Sequence, residues 1–452
     1  MLAILVPLDP ISLGKQTSGR SKRTKKGQIV FGTAAILAAQ GGGTSSVRTP
    51  IPGLALFEEA LARLELCMPP QREHCMRREN TTPRPHWRSE VEKLGLVFHH
   101  TEGRLYWDES VFYRLTLPQV DVLEDATNEL SMLFIQALEH VIRNDLFPRL
   151  SIPPEAIPIV KWSWENREPA LYGRVDLAYD GINPPKLLEY NADTPTALLE
   201  ASVVQWLWLQ EKFPHADQFN SIHERLVSTW ATLKGRLDGL LYFGYMDSGT
   251  GEDLMTITYL RDTAEEAGIR TKEIEMPDIG WNSGRGFVDL DENKITSIFK
   301  LYPWEWMLAE GFAAHLLEIY RQMNWIEPIW KMVLSNKGIL PLMWELNPGH
   351  PNLLEAYADR PGTLHEYVRK PLLSREGSNI RLQTRERVIE TSGPYGKEGY
   401  IYQAVASLPS LDGWYPVIGS WIIDGEAAGI GVRESATPIT DHREKFVPHI
   451  IG

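Results

Sequence analysis

The chain has 452 residues, with 46 Lys and Arg against 59 Asp and Glu, a net charge of −13. That length can bury a core shared by roughly two to four lobes, and the acidic balance disfavours a nucleic-acid-binding face. The 2 cysteines, Cys67 and Cys75, imply no disulfide framework. No apolar run reaches the about 18 residues a spanning helix needs, so neither a membrane nor a nucleic acid is an expected partner.

Residues 1–75 open apolar from Met1 to Leu8, turn basic through Lys15, Arg20, Lys22, Arg23, Lys25 and Lys26, and continue into a Gly-rich stretch. Lys22 to Leu37 followed by Ala38-Ala39-Gln40 loosely resembles a signal sequence. The preceding apolar run and the scarcity of aromatics argue instead for a disordered extension, or for upstream sequence from a mis-assigned start, with a weak amphipathic helix near Leu56 to Leu66. Further on, Leu117 to Ile142 carries Val120, Leu123, Leu130, Phe134, Leu138 and Val141 at helical spacing with Pro118 near its start, which predicts a long amphipathic helix.

Tyr172-Gly173-Arg174-Val175-Asp176 and Lys186-Leu187-Leu188-Glu189-Tyr190-Asn191 read as two strands joined by the turn-rich segment Tyr179 to Pro185. Alternate side chains of a strand share a face, so Arg174 goes with Asp176 and Glu189 with Asn191. Two carboxylates, an amide oxygen and a guanidinium on one hairpin suit a magnesium–nucleotide site. They equally suit a half-exposed hairpin whose charges pair across strands.

Ala197 to Leu209 predicts a second helix, and Leu240 to Met246, Thr271 to Met276 and Gly286 to Leu290 predict strands, with a helix Leu254 to Ala267 between the first two. That order suggests a small parallel sheet forming a substrate domain. Glu252-Asp253 precede this helix, where acids also serve as caps. In Tyr302-Pro303-Trp304-Glu305-Trp306 the aromatics suit packing, and Glu305 is the member that packing explains poorly. Lys337 lies in a short polar break, and Lys370 ends a strand before Ser374-Arg375-Glu376-Gly377-Ser378, a loop that can fold its amides over phosphate. Each lysine alone reads more readily as a solvated surface charge. Tyr415 to Arg433 forms strand, Asp424-Gly425 turn and returning Gly-rich strand, with Arg433 at the end.

Taken together, Leu171 to Trp206, Lys300 to Leu308, the Asn347-Pro348-Gly349-His350 turn, the Lys370 loop and the Arg433 hairpin resemble, in this order, the glutathionylspermidine synthase family, in particular its stand-alone bacterial members described as acid–amine ligases. The resemblance runs from about Met76 to the end. It implies an α+β ATP-grasp fold with a pre-ATP-grasp substrate domain, an ATP lid near 331–405, and cytoplasmic amide synthesis from a small carboxylate and an amine through an acyl phosphate. It implies ATP and two magnesium ions, with Asp176, Glu189 and Asn191 as metal ligands and Arg174 and Arg433 at the transferred phosphoryl group. Lys337, Lys370, Ser374, Gly377 and Ser378 would contact ATP, and Glu252, Asp253 and Glu305 the substrates. The family has Glu where Asp253 stands, which leaves the amine open. Both cysteines lie upstream of this region, so no Cys nucleophile is expected in it, and nothing before Met76 resembles the amidase domain of bifunctional members. An ATP-grasp peptide or amino-acid ligase, or a non-catalytic ATP-binding protein, are the other readings; intact site residues argue against the last.

Overall fold

The Tyr172 hairpin forms as the turn chemistry predicts. The Asp180 carboxylate accepts the amides of Ile182 and Asn183, both at 2.8 Å. Gly181 has φ +86°, and a Cβ there would meet the Met76 amide nitrogen at 2.3 Å, so the turn admits only glycine. These and the other features of the fold belong to a computed structural model describing residues 75–101, 103–246, 249–440 and 444–452, all within the unit Pro69–Gly452. The expectations for residues 1–74, and for Ser248 beside the Glu252 pair, lie outside the described residues.

Strands Tyr172–Ala178 and Lys186–Asn191 form one edge of a five-stranded antiparallel sheet, followed by Tyr415–Ile423, Glu426–Ser435 and Lys445–Val447. The register sets Arg174 opposite Asn191, Asp176 opposite Glu189, and Gly419 on the other side of Asp176. All seven positions of Tyr172–Ala178 are buried, because both sheet faces are covered. One cover is the long helix, observed as Leu117–Arg143, which starts with a Thr116–Gln119 capping box and Pro118 in its first turn. Its Phe134 packs on Tyr190 at 4.4 Å between ring centroids, and its Thr127 hydroxyl bonds Ser420 at 2.7 Å.

Leu241–Tyr245, Thr271–Glu275, Ser297–Leu301 and Asn324–Ile326 make the expected parallel sheet, with helix Glu252–Glu266 as one crossover. The segment 286–290 departs from expectation. Gly286–Val288 pairs antiparallel with Gly280–Asn282 in a separate ribbon. The Asp289 carboxylate then accepts the amides of Asp291 and Asn293, which ends the strand and leaves Leu290 exposed. The second predicted helix is also modified: Leu198 to Lys212 is continuously helical but carries a π-helical turn at Glu200–Val204.

A third sheet, antiparallel in the order Ala356–Ala358, Tyr400–Ala404, Tyr367–Pro371, Arg381–Gln383, Val388–Glu390, carries the Lys370 strand. It stands across from the edge strand Lys186–Asn191, to which the Lys370 ammonium reaches.

Candidate active site

The hairpin brings its charged groups together. Asp176 accepts Arg174 Nε at 2.7 Å, Arg433 at 2.6 Å and Asn191 Nδ2 at 3.1 Å. Asn191 Nδ2 also reaches Glu189 at 3.3 Å, so the three oxygen-bearing side chains converge on one point. As oriented, the Asn191 amide donates to both carboxylates; turning its side chain over would present its oxygen beside theirs. Such an all-oxygen set fits a small hard cation that takes its remaining ligands from phosphate and water. Among the described residues no group of three or more His, Cys, Asp or Glu side chains could hold a metal; here two carboxylates stand with the Asn191 amide.

Both lysines face this group. Lys337 approaches Glu189 at 3.2 Å and donates to the Ser374 carbonyl at 2.7 Å. Lys370 donates to the Leu188 carbonyl at 2.9 Å and to Gln403 Oε1 at 2.8 Å. Burial alone would push the Glu189 carboxyl up, but Lys337 and Lys370 outweigh it and hold the group well below the usual range. Burial brings Lys370 down to about 8, opposed by Glu189 and reinforced by Lys337.

Beside these charges lies an open cleft. Its lining combines Asp176, Glu189, Lys337 and Lys370 with Ile380, Leu382, Leu408 and Ile439, of which Ile380, Leu382 and Ile439 pack as one apolar cluster. Ser374 and Gly377 are on its wall. Gly377 has φ +66°, and a Cβ there would meet the Thr440 carbonyl at 2.3 Å, which requires glycine at this bend. Ser378 is not among the lining residues; its amide turns back to the Arg375 carbonyl at 2.9 Å. A cleft with both charged and apolar walls suits a ligand that carries an ionic and an apolar part, as a nucleotide does.

Arg433 joins the cluster from the far hairpin, held between Asp176 and Glu444, each within 2.7 Å. Glu252 and Asp253 form the first turn of helix Glu252–Glu266, so they also sit where acids favour the helix dipole. Burial raises the Glu252 carboxyl, and a bond from the Thr196 hydroxyl lowers it. Glu305 pairs with Arg375 at 2.9 Å, while Trp304 is fully buried packing and Trp306 is 40% exposed.

Several contributing groups had no role in the sequence reading. Arg375 donates to Thr194 Oγ1 at 2.7 Å and to Glu305, with its guanidinium 5.7 Å from the Trp306 ring centroid. The Arg174 guanidinium donates to the Thr196 carbonyl at 2.6 Å. Asp193 is fully buried, accepting Lys300 at 2.5 Å and the Trp304 amide at 3.1 Å. The turn 193–196 thus touches the strand Tyr172–Ala178, the parallel sheet and the Lys370 loop at once. Its Asp-Thr-Pro-Thr composition signals a turn but not these partners.

The sequence profile described as glutathionylspermidine synthase preATP-grasp matches residues 78–452. An acid–amine ligase named in Haemophilus influenzae is 40% identical over 385 residues, covering 81% of this chain and 97% of that protein. A trypanothione synthetase of Crithidia fasciculata is 30% identical across 68% of this chain and 51% of its own length. The bifunctional glutathionylspermidine synthetase/amidase of Escherichia coli is 25% identical across 81% of this chain and 63% of its own. Among solved structures, a glutathione synthetase-like effector of Globodera pallida matches with TM-score 0.51 and 11% identity, covering 81% of this chain and 96% of that one, which is a likeness of fold. With most of its length matched by the profile and by a relative of nearly equal extent, the chain belongs to the glutathionylspermidine synthase family.

Proposed function

We propose that the protein is an ATP-dependent acid–amine ligase of ATP-grasp type, forming an amide through an acyl phosphate. The observation that carries this is the convergence of Arg174, Asp176, Asn191 and Arg433 beside a cleft lined by Glu189, Lys337 and Lys370 together with apolar residues. The names of relatives in three organisms, all synthetases or ligases, support it. Asp176, Glu189 and Asn191 would hold magnesium, which when bound offsets phosphate charge.

Lys337 and Lys370, beside Glu189, would grip the phosphates, leaving the apolar cluster of Ile380, Leu382 and Ile439 for adenine. Arg174 and Arg433 each pair with Asp176 here and have only to turn toward a phosphoryl group to stabilise its transfer to the acid substrate. The Ser374–Ser378 loop, latched through Arg375, would keep water from the acyl phosphate. No covalent enzyme intermediate is needed. Glu252, Asp253 and Glu305 border the substrate side. A glutathione-like carboxylate and a polyamine are the first pair to test, because relatives are named for that product.

The decisive assay measures phosphate release from ATP against a panel of carboxylates and amines, with mass detection of the amide. Glutathione with spermidine heads the panel. Asn191→Ala should abolish turnover with little change in melting temperature, since Asn191 is half-buried at the sheet edge and serves as a ligand rather than as packing. Full activity in that variant would remove Asn191 from the metal site, and a wild-type protein inert toward every pair would overturn the ligase reading.

A further inference from the structure

Glu200 opens the π-helical turn Glu200–Val204, directly after the turn 193–196. It is fully buried, and its Oε1 accepts the Tyr106 phenol at 2.7 Å. Its Oε2 has no hydrogen-bond partner among the described residues. A buried carboxylate oxygen left without a donor costs about 1–3 kcal/mol, and buried acids kept only for architecture are normally satisfied at both oxygens. Single π-helical turns inside an α-helix recur at functional sites.

Arg174, at the proposed phosphoryl-transfer point, and Glu252, on the substrate side, both act electrostatically on Glu200. Thr196 links those two, its carbonyl accepting Arg174 and its hydroxyl bonding Glu252. Burial pushes the Glu200 carboxyl up to about 7; the Tyr106 hydrogen bond and the residue's own backbone amide lower it, Glu252 raises it and Arg174 lowers it. An aliphatic amine, with a conjugate-acid pKa of about 10, arrives as an ammonium with no lone pair to attack with. A base titrating near neutral pH is suited to removing that proton.

Resting on the acyl-phosphate reading above, we propose that Glu200 is the general base of amide formation, accepting a proton from the incoming ammonium group. One N–H bond breaks and its proton passes to the carboxylate of Glu200. The freed nitrogen pair forms the C–N bond to the acyl carbon while the carbonyl pair moves onto oxygen. Collapse re-forms the carbonyl and breaks the bond from carbon to the phosphate oxygen, and phosphate leaves with that electron pair. A second nitrogen proton goes to the departing phosphate, so amide, hydrogen phosphate and a neutral Glu200 result, and Glu200 returns its proton to water before the next turnover.

The test compares two nucleophiles on the same acid, glutathione or whichever acid of the panel supports turnover. One is the amine, spermidine first; the other is hydroxylamine, mostly unprotonated at neutral pH and needing no base. Glu200→Gln should lower kcat with the amine by about 10²–10⁴, with KM little changed, while hydroxamate formation falls only a few-fold; Glu200→Asp should recover part of the loss. The wild-type rate should level off above pH 7, whereas the Gln variant should keep rising with the fraction of free amine. Tyr106→Phe, which removes the bond favouring the charged carboxylate, should move the wild-type limb to higher pH and tests the same point if Glu200→Gln fails to fold. Equal losses with both nucleophiles, no loss with either, or an unmoved limb in Tyr106→Phe would overturn the role of Glu200. A wild-type protein that releases no phosphate from ATP with any pair would overturn the ligase reading and this inference with it.

Discussion

Lys370 shows how a single charge is set by its surroundings. Burial takes its pKa down to about 8, with Glu189 opposing and Lys337 adding to the shift. Nucleotide phosphates favour the ammonium form, so below pH 8 the site binds with Lys370 already charged. Above pH 8 binding must take up a proton, and affinity should fall by up to about tenfold per pH unit. Titration calorimetry with ATP near about pH 9, in two buffers of different ionisation enthalpy, should register that proton; an affinity flat from neutral to strongly alkaline pH would place Lys370 away from the phosphates. The residue types of the site were legible from the strand alternation of Arg174 with Asp176 and Glu189 with Asn191, since period-2 patterning survives whatever packs on the sheet. Arg375 was not, because its partners Thr194 and Glu305 lie 181 and 70 residues away and nothing local announces them. Glu200 was equally hidden inside an apolar helical run, where a lone acid reads as a solvated position.

Among the elements, the strand Tyr415–Ile423 matters for what it omits. Gly419 lies opposite Asp176, and a Cβ there would meet Arg174 Cδ at 2.8 Å and Nε at 3.3 Å. The glycine therefore gives the Arg174 stem its path across the sheet to Asp176. Gly419→Ala should push the guanidinium off its position and lower kcat by about 10², the scale of losing one preorganised electrostatic contact. Nucleotide affinity and melting temperature should change little, since the backbone there is extended and accepts alanine. Steady-state kinetics beside ATP titration check this; an unchanged kcat would mean Arg174 has room that the geometry denies it. Long periodic elements such as Leu117–Arg143 were readable because ten or more buried positions repeat one signal. The strand expected over 286–290 forms at Gly286–Val288 and stops early because Asp289, a turn-forming carboxylate, accepts the amides that follow. The π-helical turn at Glu200 left no mark in the spacing, as one extra residue in a turn displaces only the positions C-terminal to it.

At the scale of the whole molecule, the described sheets meet over a shared apolar core, and a few buried charges cross the same joins. The turn 193–196 receives Lys300 and Trp304 from the parallel sheet and the helix that follows its strand, Arg174 from the five-stranded sheet and Arg375 from the loop after Lys370. Removing one member of the fully buried Asp193–Lys300 pair would leave an uncompensated charge, so that pair is expected to resist substitution. Arg375 is different, since its partner Glu305 and the ring of Trp306 reach the protein surface. Glu305→Gln keeps the size of the side chain and one acceptor but removes the charge that holds the loop shut. With the latch weakened by about 1 kcal/mol, the open state gains roughly fivefold, and water then competes with the amine for the acyl phosphate. ATP hydrolysed without amide formed should therefore rise about fivefold relative to coupled turnover, while the fold and ATP affinity stay near wild type. Parallel measurement of phosphate and amide product decides it. A coupling ratio identical to wild type would mean that the loop excludes water without help from Glu305, leaving the Thr194 bond to Arg375 as the contact that closes the site.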